Sequence, residues 1–503
     1  MEPAHPTNPF QPTGTKRPLL TSGFLAAGLL LQACTVGPDY QRPLVNVPVD
    51  FKEHAGWKTA APNDQAIPAS WWEAFGDPRL NQLEQQVPNN YSLAQAEAQF
   101  RQASALVENA RSNWFPKANL SAAYNRFRSA TGQTQVVPGI RETFNTAVSA
   151  AWELDLWGRI RRQVEAGEAT AEANAATMQA LKLSLQSQLA QNYFQLRTLD
   201  VQKQILNASV AAFEKTLELT RNRYEAGVVG KADVVQAETQ LTATKAQAQD
   251  LAVQRAQLEH AIAVLTGKAP SELTLAPQQA LPELPSLPSA VPSSLLERRP
   301  DIASAERQVM AANAQIGVAK AAFFPNVTIN IGNGFQSSRV ERLLTTASRY
   351  WALGPAAAAL PLFEGGARNA QLKQAIAGYD ATVAGYRQAV LIGFQDVEDN
   401  LAALQALETE AQTLEHTVKT GREAVQLTTN QYKAGTVSYQ SVLTAQTAAL
   451  TNERTAAGVH GRRLNAAVLL VKALGGGWDP AAVQELQKDE GFNWRHYMPF
   501  PES

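Results

Sequence analysis

The 503 residues carry 44 Lys and Arg against 45 Asp and Glu, with 45% apolar and 7% aromatic side chains. So even a balance removes the electrostatic case for nucleic-acid binding, and the apolar share is built largely from alanine and small aliphatics. A single cysteine excludes an intrachain disulfide framework and a cysteine-based metal cluster. His5, His54, His260, His416, His460 and His496 lack any H-E-x-x-H spacing, so metal chemistry has little support.

At the N-terminus the basic pair Lys16-Arg17 precedes an apolar run from Pro18 to Leu31, the order of a secretory signal. The run is shorter than the about 20 residues of an ordinary spanning helix. Cys34 follows it in Leu31-Gln32-Ala33-Cys34, which resembles a bacterial lipobox. That resemblance implies an S-diacylglycerol and an N-acyl chain on Cys34 after cleavage, and several acyl chains anchor stably where one is marginal. The competing reading is a buried structural cysteine beside a chance apolar run; the position and uniqueness of Cys34 argue against it. Thr35 stands where an aspartate would direct inner-membrane retention, so the resemblance implies outer-membrane delivery.

The chain then repeats itself. Leu93-Ala94-Gln95-Ala96-Glu97 matches Ile302-Ala303-Ser304-Ala305-Glu306, and Phe115-Pro116 matches Phe324-Pro325, both at an offset of 209. Asn222 to Val229 aligns with Asn430 to Val437 at an offset of 208. A nearly constant offset over so long a stretch marks a tandem duplication. Between the copies, Pro270, Pro277, Pro282, Pro285, Pro288 and Pro292 exclude helix interior and central strand, leaving an extended linker.

Each copy has a long stretch without proline, Gly139 to Ala269 and Leu362 to Asp479. In the first, Leu196, Leu199, Leu206, Val210, Phe213, Leu217 and Tyr224 recur at spacings that make a coiled-coil-like seam, with Lys203 and Thr220 at the skipped positions. A helix from Gly158 to Tyr224 would be about 100 Å long, and its counterpart runs from Ala367 to Tyr432. Both end at Tyr-x-Ala-Gly, with Gly227 and Gly435 suited to a left-handed cap. Return helices are expected over Lys231–Thr266 and Tyr439–Leu474, which makes two long helical hairpins with tips at Gly227–Lys231 and Gly435–Tyr439.

Just before each long helix the period changes to two. Phe144, Thr146, Val148, Ala150, Trp152, Leu154 and Leu156 alternate with polar or small residues, and so do Val327, Ile329 and Ile331; Ala118–Arg128 and Tyr350–Leu362 read as their hairpin partners. Strands of this length with one apolar face suit a membrane β-barrel better than a half-buried sheet, given the lipidation signal. Four strands cannot close a barrel, since the smallest need about eight. Other copies must supply the rest, and the residues themselves do not select their number.

The expected order is a signal peptide over 1–33, a lipidated segment over 34–80, a first repeat over 81–268, a Pro-rich linker over 269–292, a second repeat over 293–475 and a C-terminal tail over 476–503. The β-hairpins are expected at 118–156 and 325–363 and the helical hairpins at 158–266 and 367–474.

These residues resemble the TolC-like outer-membrane efflux factors, in particular the NodT-type lipoproteins that serve resistance-nodulation-division pumps. The opening Cys34-Thr35-Val36-Gly37-Pro38-Asp39-Tyr40-Gln41-Arg42-Pro43, the stretch Trp71 to Leu80 and the doubled Tyr-x-Ala-Gly tips carry the likeness. It implies a mainly α fold with a membrane β-barrel: a homotrimer, a twelve-stranded outer-membrane barrel in outer-membrane lipid, and a periplasmic α-barrel. It further implies a passive exit duct for amphiphilic compounds, joined by a periplasmic adaptor to an inner-membrane transporter, with no cofactor beyond the lipid on Cys34. Tyr224, Gly227, Val229, Asp233, Tyr432, Gly435, Val437 and Gln440 would dock the adaptor and close the aperture; Tyr224 and Tyr432 can equally be packing residues at the end of the seam. Ser441 and Thr444 stand where relatives place aspartates, and Asp233 of the first copy aligns with Ser441.

Three rival readings meet these residues differently. Gly267-Lys268 lacks the flanking P-loop pattern and ends a helix, so no catalytic motif survives. A periplasmic adaptor would carry one hairpin where this chain has two. A duct for secreted proteins shares the fold and stays open as an alternative. The scarcity of His and Met argues against a dedicated heavy-metal exporter.

Overall fold

The computed structural model describes residues 35–45, 51–52, 68–128, 139–285 and 298–478. The expected signal peptide, Cys34 and the tail beyond Trp478 lie outside the described residues.

The duplication is visible in element lengths. Two helices of 67 residues, α3 (Arg159–Glu225) and α6 (Ala367–Lys433), are each followed by one of 35 residues, α4 (Lys231–Leu265) and α7 (Tyr439–Ala473). Two 22-residue helices, α2 (Tyr91–Ser112) and α5 (Pro300–Ala321), precede the strands of each copy. Before α2 stands the short α1 (Pro78–Glu84), whose N-cap Asp77 accepts from the N–H groups of Arg79 and Leu80 and whose proline occupies the first turn, where its missing N–H is harmless. The long helices persist because their interiors hold no proline and are rich in Ala, Leu, Gln, Glu and Lys.

The corners at the ends of the return helices are built twice from the same parts. Gly267 (φ +74°) and Gly475 (φ +94°) leave α4 and α7 in the left-handed region, and a Cβ there would come within 2.4 Å of the Asn89 carbonyl oxygen and 2.9 Å of the Arg298 one. Asn90 Nδ2 donates to the Val264 and Leu265 oxygens, both at 3.2 Å, and Arg299 Nη1 donates to the Ala473 oxygen at 3.2 Å. Each copy thus ties the start of its short helix to the orphan carbonyls ending its return helix.

The chain divides into two compact units. The first holds an antiparallel sheet of β1 (Lys117–Arg128), β2 (Ile140–Leu154), β3 (Asn326–Ser337) and β4 (Arg349–Ala359), in that order. Leu120 pairs with Val148, Trp152 with Ile329, and Ile331 with Leu353, so one face is apolar and the other carries Ser121, Asn145, Ser149 and Asn330. The apolar face is open: Leu120 is 78% and Trp351 76% exposed. A core sheet would bury that face. Among the described residues β1 and β4 each have an edge without a strand partner, and no helix is long and apolar enough to cross a membrane.

The second unit holds most of the helical hairpins. Leu199, Leu206, Phe213 and Leu217 of α3 pack with Ala237, Leu241, Ala248 and Leu251 of α4 and with Val442 and Leu450 of α7 in one cluster. Of the seam expected on α3, Leu199, Leu206, Phe213 and Leu217 are thus in this cluster with two partner helices and Val210 packs against it, while Leu196 lies outside it and Tyr224 is exposed. The first part of the linker departs from a plain extended chain: a 3-10 turn spans Pro270–Glu272, and Leu273 and Leu275 are buried. Its backbone is held by a charge cluster on α3 and α4. Arg197 Nη1 donates to the Ala276 oxygen at 2.8 Å, Arg255 donates to the Leu275 oxygen, Glu259 accepts the Leu275 N–H at 2.6 Å, and Asp200 accepts the Gln278 N–H at 3.2 Å.

Glu84 is buried at the end of α1, and neither carboxylate oxygen has a hydrogen-bond partner among the described residues. Burial pushes its pKa up to about 9 from 4.5, so the folded chain keeps a proton that the unfolded chain releases. The resulting stability is full below about pH 4.5 and is lost as pH rises toward 9. Glu84→Gln should raise the melting midpoint at about pH 8, and the two proteins should converge near pH 4.5. Parallel midpoint curves across that range would contradict this.

Candidate functional site

The two hairpin tips use one backbone solution. Gly227 (φ +75°) donates its N–H to the Tyr224 oxygen at 2.9 Å, and Val228 donates to the Arg223 oxygen at 2.9 Å. Gly435 (φ +79°) donates to the Tyr432 oxygen at 2.9 Å, and Thr436 to the Gln431 oxygen at 3.0 Å. This paired closure satisfies the last carbonyls of α3 and α6 and needs the left-handed residue that glycine adopts without strain.

The side chains at the tips differ. Tyr432 is 1% exposed and Tyr224 43%. The Tyr432 ring lies edge-on to Tyr439, with centroids 6.0 Å apart, and under the Arg223 guanidinium, whose Cζ is 4.5 Å from its centroid. Arg223 also donates to the Tyr432 carbonyl oxygen, and the Tyr432 hydroxyl donates to Thr220 Oγ1 at 3.4 Å. Around Tyr224 the matching positions are Gln431, which aligns with Arg223, and Lys231, which aligns with Tyr439. Gln431 carries no charge and Lys231 no ring, and of the two tyrosines that could end the seam Tyr432 is buried among the described residues while Tyr224 is exposed.

Gln440 is exposed, and its Oε1 accepts from Gln236 Nε2 at 2.9 Å, joining the two return helices. Val437 packs against the cluster below the tips, while Val229 is half-buried. Ser441 is half-buried, and the Thr444 hydroxyl turns back to the Gln440 carbonyl at 2.9 Å. Asp233 sits half-buried in the first turn of α4. The Tyr439 hydroxyl is pushed up to about 12, first by burial and then by the neighbouring Tyr432 and Asp233. The sequence marks Tyr439 only as the start of a return helix and does not single out Arg223, since an arginine beside a tyrosine on the last turn of a helix looks like a solvated charge.

Arg223→Gln gives the first tip the residue found at the matching place in the second. It removes a cation–π contact of about 0.5–2 kcal/mol and a charged hydrogen bond of about 1.5–3 kcal/mol. Limited trypsin cleavage after Lys433 should accelerate at least about tenfold, since 1.4 kcal/mol is a factor of ten. An unchanged rate would remove Arg223 from the account of the tip.

In the first unit, the residues just after Cys34 are strapped to the turn between β2 and α3. Val36 N–H donates to the Trp157 oxygen at 3.1 Å, Asn313 Nδ2 to the Pro38 oxygen at 3.0 Å, and Arg162 Nη2 to Asp39 Oδ1 at 2.6 Å. The approach is close enough that a Cβ on Gly158 would lie 2.7 Å from Thr35 Cγ2. Thr35, and with it the position following Cys34, is therefore held at the base of the sheet.

The model of the outer membrane efflux protein family matches residues 83–268 and 291–476. This chain belongs to that family. Solvent efflux pump outer membrane protein SrpC of Pseudomonas putida is 32% identical over 467 residues, 90% of this chain and 97% of the relative. The outer-membrane channel OprN superposes with a TM-score of 0.84 at 32% identity, over 88% of this chain and all of that one. The open state of the Neisseria gonorrhoeae MtrE outer membrane channel gives 0.78 at 28%, over 89% of this chain and 99% of the other. The efflux channel described here is accordingly an outer-membrane protein that extends into the periplasm, and its family consists of channels, not enzymes.

Proposed function

We propose that this efflux channel is the exit duct of a tripartite pump, energised by an inner-membrane transporter of the resistance-nodulation-division class and reached through a periplasmic adaptor. Three chains close a twelve-stranded barrel in the outer membrane, and their helical hairpins line a periplasmic tube. The observation that carries this reading is the four-stranded sheet whose apolar face is exposed and whose two edges have no strand partner among the described residues. Lipid covers such a face and neighbouring copies cover such edges.

Cys34 carries the acyl chains. The strap from Thr35 to Asp39 supports this, because Thr35, the residue that follows Cys34, lies at the base of the lipid-facing sheet. Tyr224, Gly227, Val229, Asp233, Tyr432, Gly435, Val437 and Gln440 form the end that meets the adaptor and narrows the aperture, with Ser441 and Thr444 lining it. Exposed Tyr224 is the tip aromatic free to contact another chain.

The names of the solvent and toluene pump relatives support small amphiphilic compounds as cargo. The test is a gene deletion with an ethidium or Nile red accumulation assay. Dye should rise in the deleted strain and fall on complementation, with the secreted-protein profile unchanged. Unchanged dye levels together with the loss of one secreted protein would replace this reading with a protein-secretion duct.

A further inference from the structure

Charge on the sheet is confined to the strand ends. No Asp, Glu, Lys, Arg or His stands in 118–125 of β1, 143–152 of β2, 326–337 of β3 or 350–359 of β4. The 11 steps from Glu142 to Glu153 rise about 36 Å along a strand and about 28 Å along the normal of a barrel tilted by about 40°. An outer-membrane apolar band is about 25 Å tall, so the uncharged zone has the right height.

The two ends of this zone differ. At the base, from which α3 and α6 depart, arginines meet carboxylates: Arg159 Nη2 lies 2.7 Å from Glu153 Oε1, Arg161 Nε 3.2 Å from Asp155 Oδ2, and Arg368 Nε 2.9 Å from Glu364 Oε2. At the loop end each repeat supplies three arginines and one glutamate. Residues 126–142 hold Arg126, Arg128 and Arg141 with Glu142, residues 337–349 hold Arg339, Arg342 and Arg349 with Glu341, and neither stretch has another charged residue. All six arginines are exposed. Among the described residues the one ion pair at this end joins Arg126 Nε to Glu142 Oε1 at 3.5 Å.

Register sorts these arginines by face. Leu120, Val148, Asn333 and Trp351 form one rung of the open apolar face. Alternation carries β1 from Leu120 through Tyr124 to Arg126 and Arg128, and β4 from Trp351 to Arg349, so these three stand on the apolar face. They lie just beyond its aromatic side chains, Trp351 and the Tyr124–Phe144 pair with centroids 4.8 Å apart. Arg141 pairs with Phe127 and lies on the opposite face. Arg349 shares the rung of Ala122, four residues short of Arg126, and at the base Ala359 pairs with Asn326, four residues beyond the Asn330 on the rung of Lys117. Both ends are staggered in one sense, as strand tilt requires, and the tilt brings Arg126 and Arg349 to one level.

Resting on the barrel reading above, we infer that Arg126, Arg128 and Arg349 bind the phosphate groups of lipid headgroups in the outer leaflet of the outer membrane. The helices leave from the base and extend into the periplasm, so the loop end faces outward. A guanidinium keeps its charge and offers a planar fork that fits phosphate oxygens. Aromatic girdles mark the membrane interface, and a side chain just beyond one stands at headgroup depth. Glu142 offsets one of the three charges on this face, and the excess that remains suits a glycolipid carrying two phosphates.

The test is native mass spectrometry of the full chain, extracted as its oligomer, with lipid A as the probe in its bisphosphorylated and its dephosphorylated forms. The parent should hold the bisphosphorylated form at least about tenfold more tightly. A basic residue near an anionic lipid surface contributes about a factor of five, so Arg128→Gln should weaken that binding about fivefold and Arg128→Gln with Arg349→Gln about thirtyfold. Arg141→Gln removes the same charge from the opposite face and should bind as the parent does; the same spectra show that each variant assembles. Equal binding of the two lipids, equal losses in Arg128→Gln and Arg141→Gln, or displacement of the lipid by inorganic phosphate at matched concentration would overturn the inference and leave the duct reading in place. A parent chain that is monomeric and needs no detergent would remove both.

Discussion

Asp200→Ala should destabilise the second unit by about 3–5 kcal/mol, the range for removing one partner of a buried ion pair. The Asp200 side chain is 1% exposed, with Arg197 Nη1 3.0 Å from Oδ2 and Arg255 Nε 2.7 Å from Oδ1. Removing it leaves the buried Arg197 guanidinium without its counter-ion and the Gln278 N–H without its acceptor. The damage should spread, because the Arg197 guanidinium also lies over the Tyr193 ring with Cζ 4.6 Å from the centroid, and Tyr193 donates its hydroxyl to the α1 cap Asp77 at 2.7 Å. Burial, together with that bond to Asp77, holds the Tyr193 hydroxyl protonated well above the ordinary tyrosine range. Asp200→Asn keeps an acceptor but loses the charge, so it should fall between the parent and Asp200→Ala. Chemical denaturation in detergent would measure both, and a loss below about 1 kcal/mol for Asp200→Ala, typical of exposed pairs, would show that the cluster is solvated.

Gly267→Ala and Gly475→Ala should each cost more than the about 1–3 kcal/mol attached to a non-glycine residue in the left-handed region. At both corners the added Cβ also meets a backbone carbonyl oxygen, at 2.4 Å for Gly267 and 2.9 Å for Gly475. Backbone cannot rotate aside as the end of a side chain can. The shorter approach makes Gly267 the more sensitive of the two, and thermal melts of the two variants should rank accordingly. Gly227→Ala carries the same backbone strain with nothing within 4 Å of the new Cβ, so it isolates the strain from the clash and should be the mildest of the three.

Elements governed by local rules were legible in the sequence. Helix α3 begins one residue after the expected Gly158, and α6 begins at the expected Ala367; each runs one residue beyond its expected tyrosine. Proline's absence and a left-handed glycine are local signals, and they suffice for a helix of any length. The period-two stretches marked the strands for the same reason, although β3 runs on to Ser337 through Gly332 and Gly334, where small residues blur the alternation.

Features that depend on distant partners were hidden. Tyr224 and Tyr432 occupy matching positions, yet their fates separate on the contrast between Arg223 with Tyr439 and Gln431 with Lys231. Over the described part of the linker, 269–285, the only regular element is the 3-10 turn at Pro270–Glu272, and its docking rests on Arg197, Asp200, Arg255 and Glu259. At spacings of three and four on a helix, those residues look like ordinary surface pairs. Their burial comes from the linker laid over them, which no local pattern records.

Native mass spectrometry of the detergent-extracted, mature protein tests the central claim most directly. The duct predicts a complex of three chains, each beginning at Cys34 and heavier than its polypeptide by a diacylglycerol and an amide-linked acyl chain. A monomer with an unmodified cysteine, recovered without detergent, would contradict it.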